Sequence, residues 1–409
     1  MYAQLGHGFS WLLILWAAWT GNLTGGLYGF AWIHTIALGW VTMAALGVLQ
    51  HALPAFVDVE PRAQTPARGS IVFYGIGVAA LLYGFLGQPR ALAGAGALIL
   101  AALIVYVACA FITLAQAMRR KRPSAGSGQA VQRAIARAFS GTFVFLLATA
   151  IIGFGLAWML SGRAAPAWIA TLPPAHGNLG VLGWLSLLIF GVSMRTLRPI
   201  TGGATRFRWM HIVVGSCALF GVPLLAAGLS TGNATLWWIG GALFALGALG
   251  YAFDTFDILR RATNPHRPPQ AFVAVSVLWF LCAMVLGGYV LAGKPWGDAY
   301  FFVLLIGWAG QMVNAHLYHI GIRLLSTIYR GEDDETPPQE LLENRLTWYS
   351  FLAFQLAIAA ILIALLRSDN ALAARGAIFG LTGWIAMAAN VLAARARAKA
   401  YKPPTIIRL

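Results

Sequence analysis

Long apolar runs, separated by short segments rich in Gly, Pro and charged residues, repeat along the whole chain. Most of these runs reach the ~20 residues that a helix needs to cross a hydrocarbon core of ~30 Å. The pattern therefore predicts an all-α polytopic bundle of about twelve transmembrane helices. The predicted spans are roughly 9–30, 33–56, 70–88, 91–117, 136–160, 175–195, 210–230, 234–257, 270–292, 299–322, 347–367 and 372–393.

Composition supports this interpretation. Of 409 residues, 59% are hydrophobic and 10% are charged, whereas a soluble domain has roughly half and roughly a quarter. We expect one transmembrane domain over residues 1–409, with cytoplasmic loops at 118–134 and 330–346. The first apolar run has no cationic segment ahead of it, so it is expected to be a mature helix rather than a signal peptide.

The cationic residues are segregated to one side of the predicted bundle. Most of the 28 Lys and Arg follow even-numbered helices or lie near the C-terminus. The positive-inside rule therefore places both termini in the cytoplasm, as expected for a multi-pass protein of a bacterial-type inner membrane. No recognition segment accompanies the basic loops, so the expected partner is the lipid bilayer and not nucleic acid. The cations expected on the opposite side are Arg90, Arg163, Lys294, Arg367 and Arg375.

The positions of the acidic residues argue against a proton-coupled carrier. All twelve Asp and Glu are expected at or near helix ends or in loops. Ion-coupled carriers usually need an ionisable group inside the membrane. A proton-coupled carrier that uses a mid-membrane carboxylate is therefore disfavoured.

Three even-numbered helices share a sequence pattern. Gly-Trp pairs stand at Gly39-Trp40, Gly183-Trp184 and Gly307-Trp308. Counting twelve residues from each glycine gives His51, Arg195 and His319, in that order. The pattern predicts a four-helix repeat present three times.

The helical rise of ~1.5 Å per residue allows the histidines to be placed by depth. His34 and His176 begin even-numbered helices and are expected near the outer face. His51, His319, His211 and His7 are expected toward the inner side, and His266 in a solvated loop.

Neutral imidazole is the usual axial ligand of heme iron and a common ligand of copper. His51 and His319 are expected at matched depth on different helices, as a bis-histidine heme requires. Arg195 is a candidate partner for a heme propionate at that level. His316 shares a helix face with His319 and is a further candidate for cofactor binding. The alternative is that the histidines are interfacial or hydrogen-bonded residues without a metal.

The two helices that begin with histidine resemble those of the heme-copper oxidase catalytic subunit superfamily, most closely its NnrS-type members. The first match runs from His34 through Gly39 and Gly47 to Pro54, and the second from His176 through 192–195 to Thr201-Gly202. The start of the next helix, at His211, is similar to oxidases close to nitric oxide reductases. The resemblance implies a b-type heme, with copper as a second candidate cofactor. It also implies that His34, His176 and His211 are metal-binding residues.

Three positions depart from the oxidase pattern. The histidine pair that ends helix 7 in the oxidases is replaced by a segment that starts at Pro223, and helix 10 opens without His-x-His. Gly180 occupies the position of the tyrosine that the oxidases carry four residues after the histidine corresponding to His176. The usual oxygen-reducing centre is therefore not expected.

The leading hypothesis is a heme-binding membrane protein, an oxidase-like candidate oxidoreductase, that transfers electrons or handles nitric oxide. Its expected partner is a respiratory-chain or electron-donor protein. A transporter or assembly factor for a small neutral solute, heme or copper is the main alternative. An accessory subunit that only packs beside a respiratory enzyme is the third.

Overall fold

The computed structural model describes residues 2–24, 26–60, 62–119, 127–207, 209–331 and 337–400. These residues form a helical bundle, and no strand occurs among them. Eleven helices are long and apolar enough to cross a membrane, and the N-terminal helix of 18 residues packs beside them. The predicted polytopic all-α fold is confirmed.

The twelve helices, numbered in chain order, are the following. They are α1 (Tyr2–Trp19), α2 (Gly26–Val57), α3 (Gln64–Phe85), α4 (Pro89–Arg119), α5 (Ser127–Leu160), α6 (Pro173–Thr201), α7 (Met210–Thr231), α8 (Ala234–Arg260), α9 (Arg267–Leu291), α10 (Gly297–Arg330), α11 (Asn344–Arg367) and α12 (Asn370–Ala400).

Two predicted boundaries are wrong. The first span was expected over 9–30, but α1 ends at Trp19 and Gly21 adopts a positive φ of 72°, a conformation that suits glycine. The segment expected as a loop over 118–134 is already helical from Ser127.

The turn between α7 and α8 shows how local sequence determines where one helix ends and the next begins. Gly232 takes a φ of 71° at the end of α7, as C-terminal glycines commonly do. The side chain of Asn233 then accepts a hydrogen bond of 3.2 Å from the Leu236 backbone N–H. These two residues stop one helix and cap the next within a tight turn.

The helix contacts repeat three times around the bundle. Close hairpins form between α3 and α4, between α7 and α8, and between α11 and α12. Helices α2, α6 and α10 each pack against the helix that precedes them, and their central segments contact one another. The spans of α6 and α10 are 72% and 78% buried, more than any other span. The predicted threefold arrangement therefore has α2, α6 and α10 around its axis.

The three Gly-Trp pairs lie in matching π-helical segments, Thr35–Thr42, Leu179–Ser186 and Val303–Gly310. Each segment begins four residues before its glycine and ends three residues after it. π-Helical turns are rare and frequently mark functional sites. The sequence repeat thus corresponds to a repeated irregularity in the backbone of the three central helices.

Side-chain contacts follow the same threefold pattern. The Trp184 indole N–H donates to Thr42 Oγ1 at 3.0 Å, and the Trp308 indole N–H donates to Ser186 Oγ at 3.0 Å. The equivalent of these hydroxyl positions on α10 is Gly310, against which the Trp40 ring packs. Trp40 therefore has no hydroxyl to bond, and its Nε1 is without a partner among the described residues.

The outer surface of the bundle is apolar. Large aliphatic side chains in mid-helix positions are more than half exposed, among them Ile151, Leu249, Val285 and Leu356. Such a belt is stable when lipid, rather than water, surrounds it. The fold is therefore that of a multi-pass protein of a lipid bilayer.

Candidate functional site

His34 and His176 face each other near the end of the bundle where α2 and α6 begin. Their ring centroids are 6.1 Å apart, and the ring planes differ by 17°. His34 precedes the π-helical segment of α2 by one residue, and His176 precedes that of α6 by three. The pair occupies one of three equivalent contacts around the threefold axis. The second contact joins α10 to α6, where the Tyr300 hydroxyl donates to Asn178 Oδ1 at 2.9 Å. The third joins α2 to α10, where the rings of Trp32 and Phe302 meet edge to face.

Backbone carbonyls fix the protonation of both imidazoles. His34 Nδ1 lies 2.8 Å from the Phe30 carbonyl oxygen, and His176 Nδ1 lies 3.1 Å from the Thr149 carbonyl oxygen. Because a carbonyl oxygen only accepts, each Nδ1 must carry the proton. Each neutral ring therefore keeps a lone pair on Nε2, the arrangement that prepares histidine to ligate a metal.

A glycine on α5 makes room for His176. A Cβ at Gly153 would lie 2.7 Å from His176 Cε1, closer than packed atoms allow. The same helix supplies the Thr149 carbonyl, one turn away. Helix α5 thus positions His176 through both a close approach and a hydrogen bond.

The two histidines line a cavity of about 830 Å³. Its wall is mostly apolar and includes Leu38, Ile99 and Leu146. A few polar groups lie in this wall besides the histidines, among them Thr149, Asn178, Asp298 and Tyr300. A large apolar cavity with a few converging polar groups is typical of a ligand or cofactor site.

The structure shows no direct contact between His51 and His319, the pair expected from the sequence, among the described residues. His51 is exposed, whereas His319 is 5% exposed. No hydrogen bond or ring contact joins them among the described residues. The predicted axial pair of His51 and His319 thus rests on the sequence alone.

His316 and His319 have other neighbours. His316 Nε2 lies 2.8 Å from Thr196 Oγ1, and His316 Nδ1 lies 2.7 Å from the Met312 carbonyl oxygen. His319 Nδ1 is 3.4 Å from the Gln339 amide nitrogen, and His319 Nε2 is without a partner in the described structure.

Arg195 and His211 also have partners that the sequence did not suggest. Arg195 is exposed and donates to the Phe56 carbonyl oxygen at 3.1 Å. His211 approaches Asp254, with Nε2 4.0 Å from Oδ2. His176 and His211, two of the residues expected to bind metal, therefore contact different neighbours.

Two histidines differ from their expected surroundings. His7 was expected at the inner end of α1, but it is fully buried and stacks on Trp40 in the middle of α2, with ring centroids 3.4 Å apart. Both of its ring nitrogens are without partners among the described residues. His266 lies in the loop before α9, as expected, but it is half-buried rather than fully solvated. Burial lowers the pKa of His266.

The sequence around His7 contains one signal of its burial. Glycines flank it, and a Cβ at Gly6 would meet the Gly39 carbonyl oxygen at 2.2 Å, while one at Gly8 would meet the Trp384 ring at 2.5 Å. A histidine between two glycines in an apolar helix therefore indicated close backbone packing on both sides.

Groups of three metal-binding side chains are not found among the described residues. The candidate sites are therefore pairs, and His34 with His176 is the pair that lines the large cavity. No protein-family model matches this chain, and no curated protein matches its sequence.

Proposed function

We propose that this chain is a membrane heme protein in which His34 and His176 are the axial ligands and that its role is electron transfer. The observation that carries the proposal is the pair of stacked neutral imidazoles, each with its Nε2 lone pair free, beside the large cavity. The motif resemblance to oxidase-type and NnrS-type proteins supports the same cofactor.

The spacing of the rings suits a shared iron. Metal–imidazole bonds of ~2.0–2.1 Å would let two histidine rings about 6 Å apart, centroid to centroid, share one ion. The observed separation is 6.1 Å. The two rings are therefore close enough to hold one iron between them once both Nε2 atoms are directed at it.

The surroundings also suit a heme. The cavity volume of about 830 Å³ lies within the range of ~300–1,000 Å³ typical of cofactor and ligand sites. The apolar wall would exclude water from a porphyrin face, and this lowers the dielectric constant around the iron. Copper remains a second candidate, since two neutral imidazoles also suit that metal.

Two histidine ligands would favour electron transfer over nitric oxide handling. A bound heme iron supplies one-electron redox chemistry. If His34 and His176 both hold the heme, they would occupy the positions at which oxygen or nitric oxide would otherwise bind. Electron exchange with a respiratory-chain or donor protein is therefore favoured over nitric oxide handling.

The absorption spectrum of the purified protein, before and after dithionite, tests the proposal. We expect a low-spin spectrum in wild type and its loss in His34→Ala and in His176→Ala, because neighbouring aliphatic side chains offer no replacement ligand. Added imidazole should partly restore it. The matched control is His51→Ala, which removes an exposed histidine. Wild-type protein from heme-replete cells that contains no heme would refute the proposal.

The cavity itself favours a second candidate function, passage of a small neutral solute. The apolar wall extends sideways around one half of the bundle, from α2 to residues of α8, α9 and α10, and this extent suits entry of a small apolar solute between the helices. Uptake of a solute by vesicles containing metal-free protein would favour this alternative. Stoichiometric heme with reversible redox would favour the electron-transfer proposal.

A further inference from the structure

Asp254 is a buried carboxylate inside a membrane helix. It lies six residues before the end of α8 at Arg260, or ~9 Å along the helix. It is 4% exposed, and its Oδ1 has no hydrogen-bond partner among the described residues. An ionisable group in such a position is costly and is functional by default.

The neighbouring charges leave Asp254 without a counter-ion of its own. Arg261 is ion-paired with Asp257 and also donates to the Asp257 carbonyl oxygen at 3.2 Å. This i, i+4 pair is on the more exposed part of α8. The basic side chain that approaches the Asp254 carboxylate to 4.0 Å is His211, in the first turn of α7.

The distance between these side chains is informative. His211 Nε2 and Asp254 Oδ2 are 4.0 Å apart, too far for an N–H···O hydrogen bond, which spans ~2.7–3.2 Å. Two ligands of one tetrahedral ion, each bonded at ~2.0–2.2 Å, lie about 3.3–3.6 Å apart. The two side chains therefore make no direct hydrogen bond, and an approach of roughly 0.5 Å would let both bind one ion.

We propose that His211 Nε2 and the Asp254 carboxylate bind a late first-row divalent cation at the inner side of the bundle. One imidazole nitrogen and one carboxylate are donors that such ions accept, and water would complete the coordination. The His211 side chain is 25% exposed and the Asp254 side chain 5%. An ion can therefore enter past His211 and neutralise the buried charge.

Binding of Zn²⁺ to the purified, detergent-solubilised protein tests this site, with equilibrium dialysis and elemental analysis as the measurement. His211→Ala and Asp254→Asn should each lose one bound equivalent or weaken binding by at least about tenfold. Asp254→Asn nearly preserves side-chain volume. His51→Ala, which removes an exposed histidine in the inner half of α2, is the matched control and should bind as wild type does.

Three results would overturn the site: no Zn²⁺ bound by wild type, unchanged binding in both variants, or an equal loss in His51→Ala. The site does not depend on the proposed heme. His34→Ala should keep Zn²⁺ binding while it loses the low-spin spectrum, and His211→Ala should do the reverse. The two proposals can therefore fail separately.

Discussion

Gly153 shows how one residue can control the candidate site. A Cβ there would approach His176 Cε1 to 2.7 Å, so the ring would have to rotate away from the Thr149 carbonyl. The rotation would move Nε2 out of line with His34. The geometry of the pair thus depends on a residue that cannot itself bind a metal.

We therefore predict that Gly153→Ala lowers heme content or converts the low-spin spectrum, although alanine favours a helix by ~1 kcal/mol over glycine. Absorption spectra and heme quantitation of the purified variant provide the measurement. Gly94→Ala on α4 is the control, because a Cβ there meets no atom within 4 Å. An unaltered spectrum in Gly153→Ala would mean that His176 is not held as the structure indicates.

The outer and inner histidine pairs give opposite predictions. If His34 and His176 hold the iron, His51→Ala and His319→Ala should leave the low-spin spectrum unchanged. If the sequence-based pair holds it, either change should give five-coordinate iron or none. The four spectra, measured at equal protein concentration, decide between the pairs.

Helical counting explains why the sequence could not settle that choice. His34 precedes the π-helical segment of α2, whereas His51 follows it, and α10 contains a second π-helical segment, Leu317–Gly321, around His319. A π turn closes i→i+5 instead of i→i+4 bonds and changes the direction of every later side chain. Depth was therefore predictable by counting residues, but the facing direction was not.

Other features were accessible from the sequence because they depend on local patterns. The Gly-Trp repeat predicted the three equivalent central helices, and apolar run length predicted most spans. The Thr149 carbonyl beside His176 and the Asp254 carboxylate beside His211 come from different helices. Contacts between residues far apart in the chain leave no local sequence pattern from which they could be predicted.

The tryptophan contacts between central helices predict a stability effect. Thr42→Val keeps the side-chain shape but leaves the buried Trp184 N–H without an acceptor, which costs ~1–3 kcal/mol. Ser186→Ala should act similarly on Trp308. Thermal unfolding in detergent should show lower midpoints for both variants.

Thr231→Val is the control for that series. The Thr231 hydroxyl is exposed and bonds only a carbonyl of its own helix, that of Ala227 at 2.8 Å. Its replacement should change the midpoint little. Equal stability of all three variants would show that the threefold contacts contribute little to holding α2, α6 and α10 together.

At the scale of the whole molecule, the distribution of cations predicts the orientation in the membrane. Segments after even-numbered helices carry most of the 28 Lys and Arg, so the positive-inside rule predicts that these segments face the cytoplasm. In that orientation His211 and Asp254 would lie toward the cytoplasm, and His34 and His176 toward the periplasm. Electrons would thus reach the proposed heme from the outer half of the bundle.

This orientation predicts the behaviour of a reporter fused after Leu409. A reporter active only in the periplasm should be silent there, whereas one active in the cytoplasm should give signal, because basic flanks stay on the cytoplasmic side. The same pair of reporters fused in the segment between α5 and α6, near Arg163, should give the reverse result. Strong periplasmic activity at the C-terminus would invert the orientation. It would then place the proposed cation site of His211 and Asp254, and not the heme pair, on the outer side.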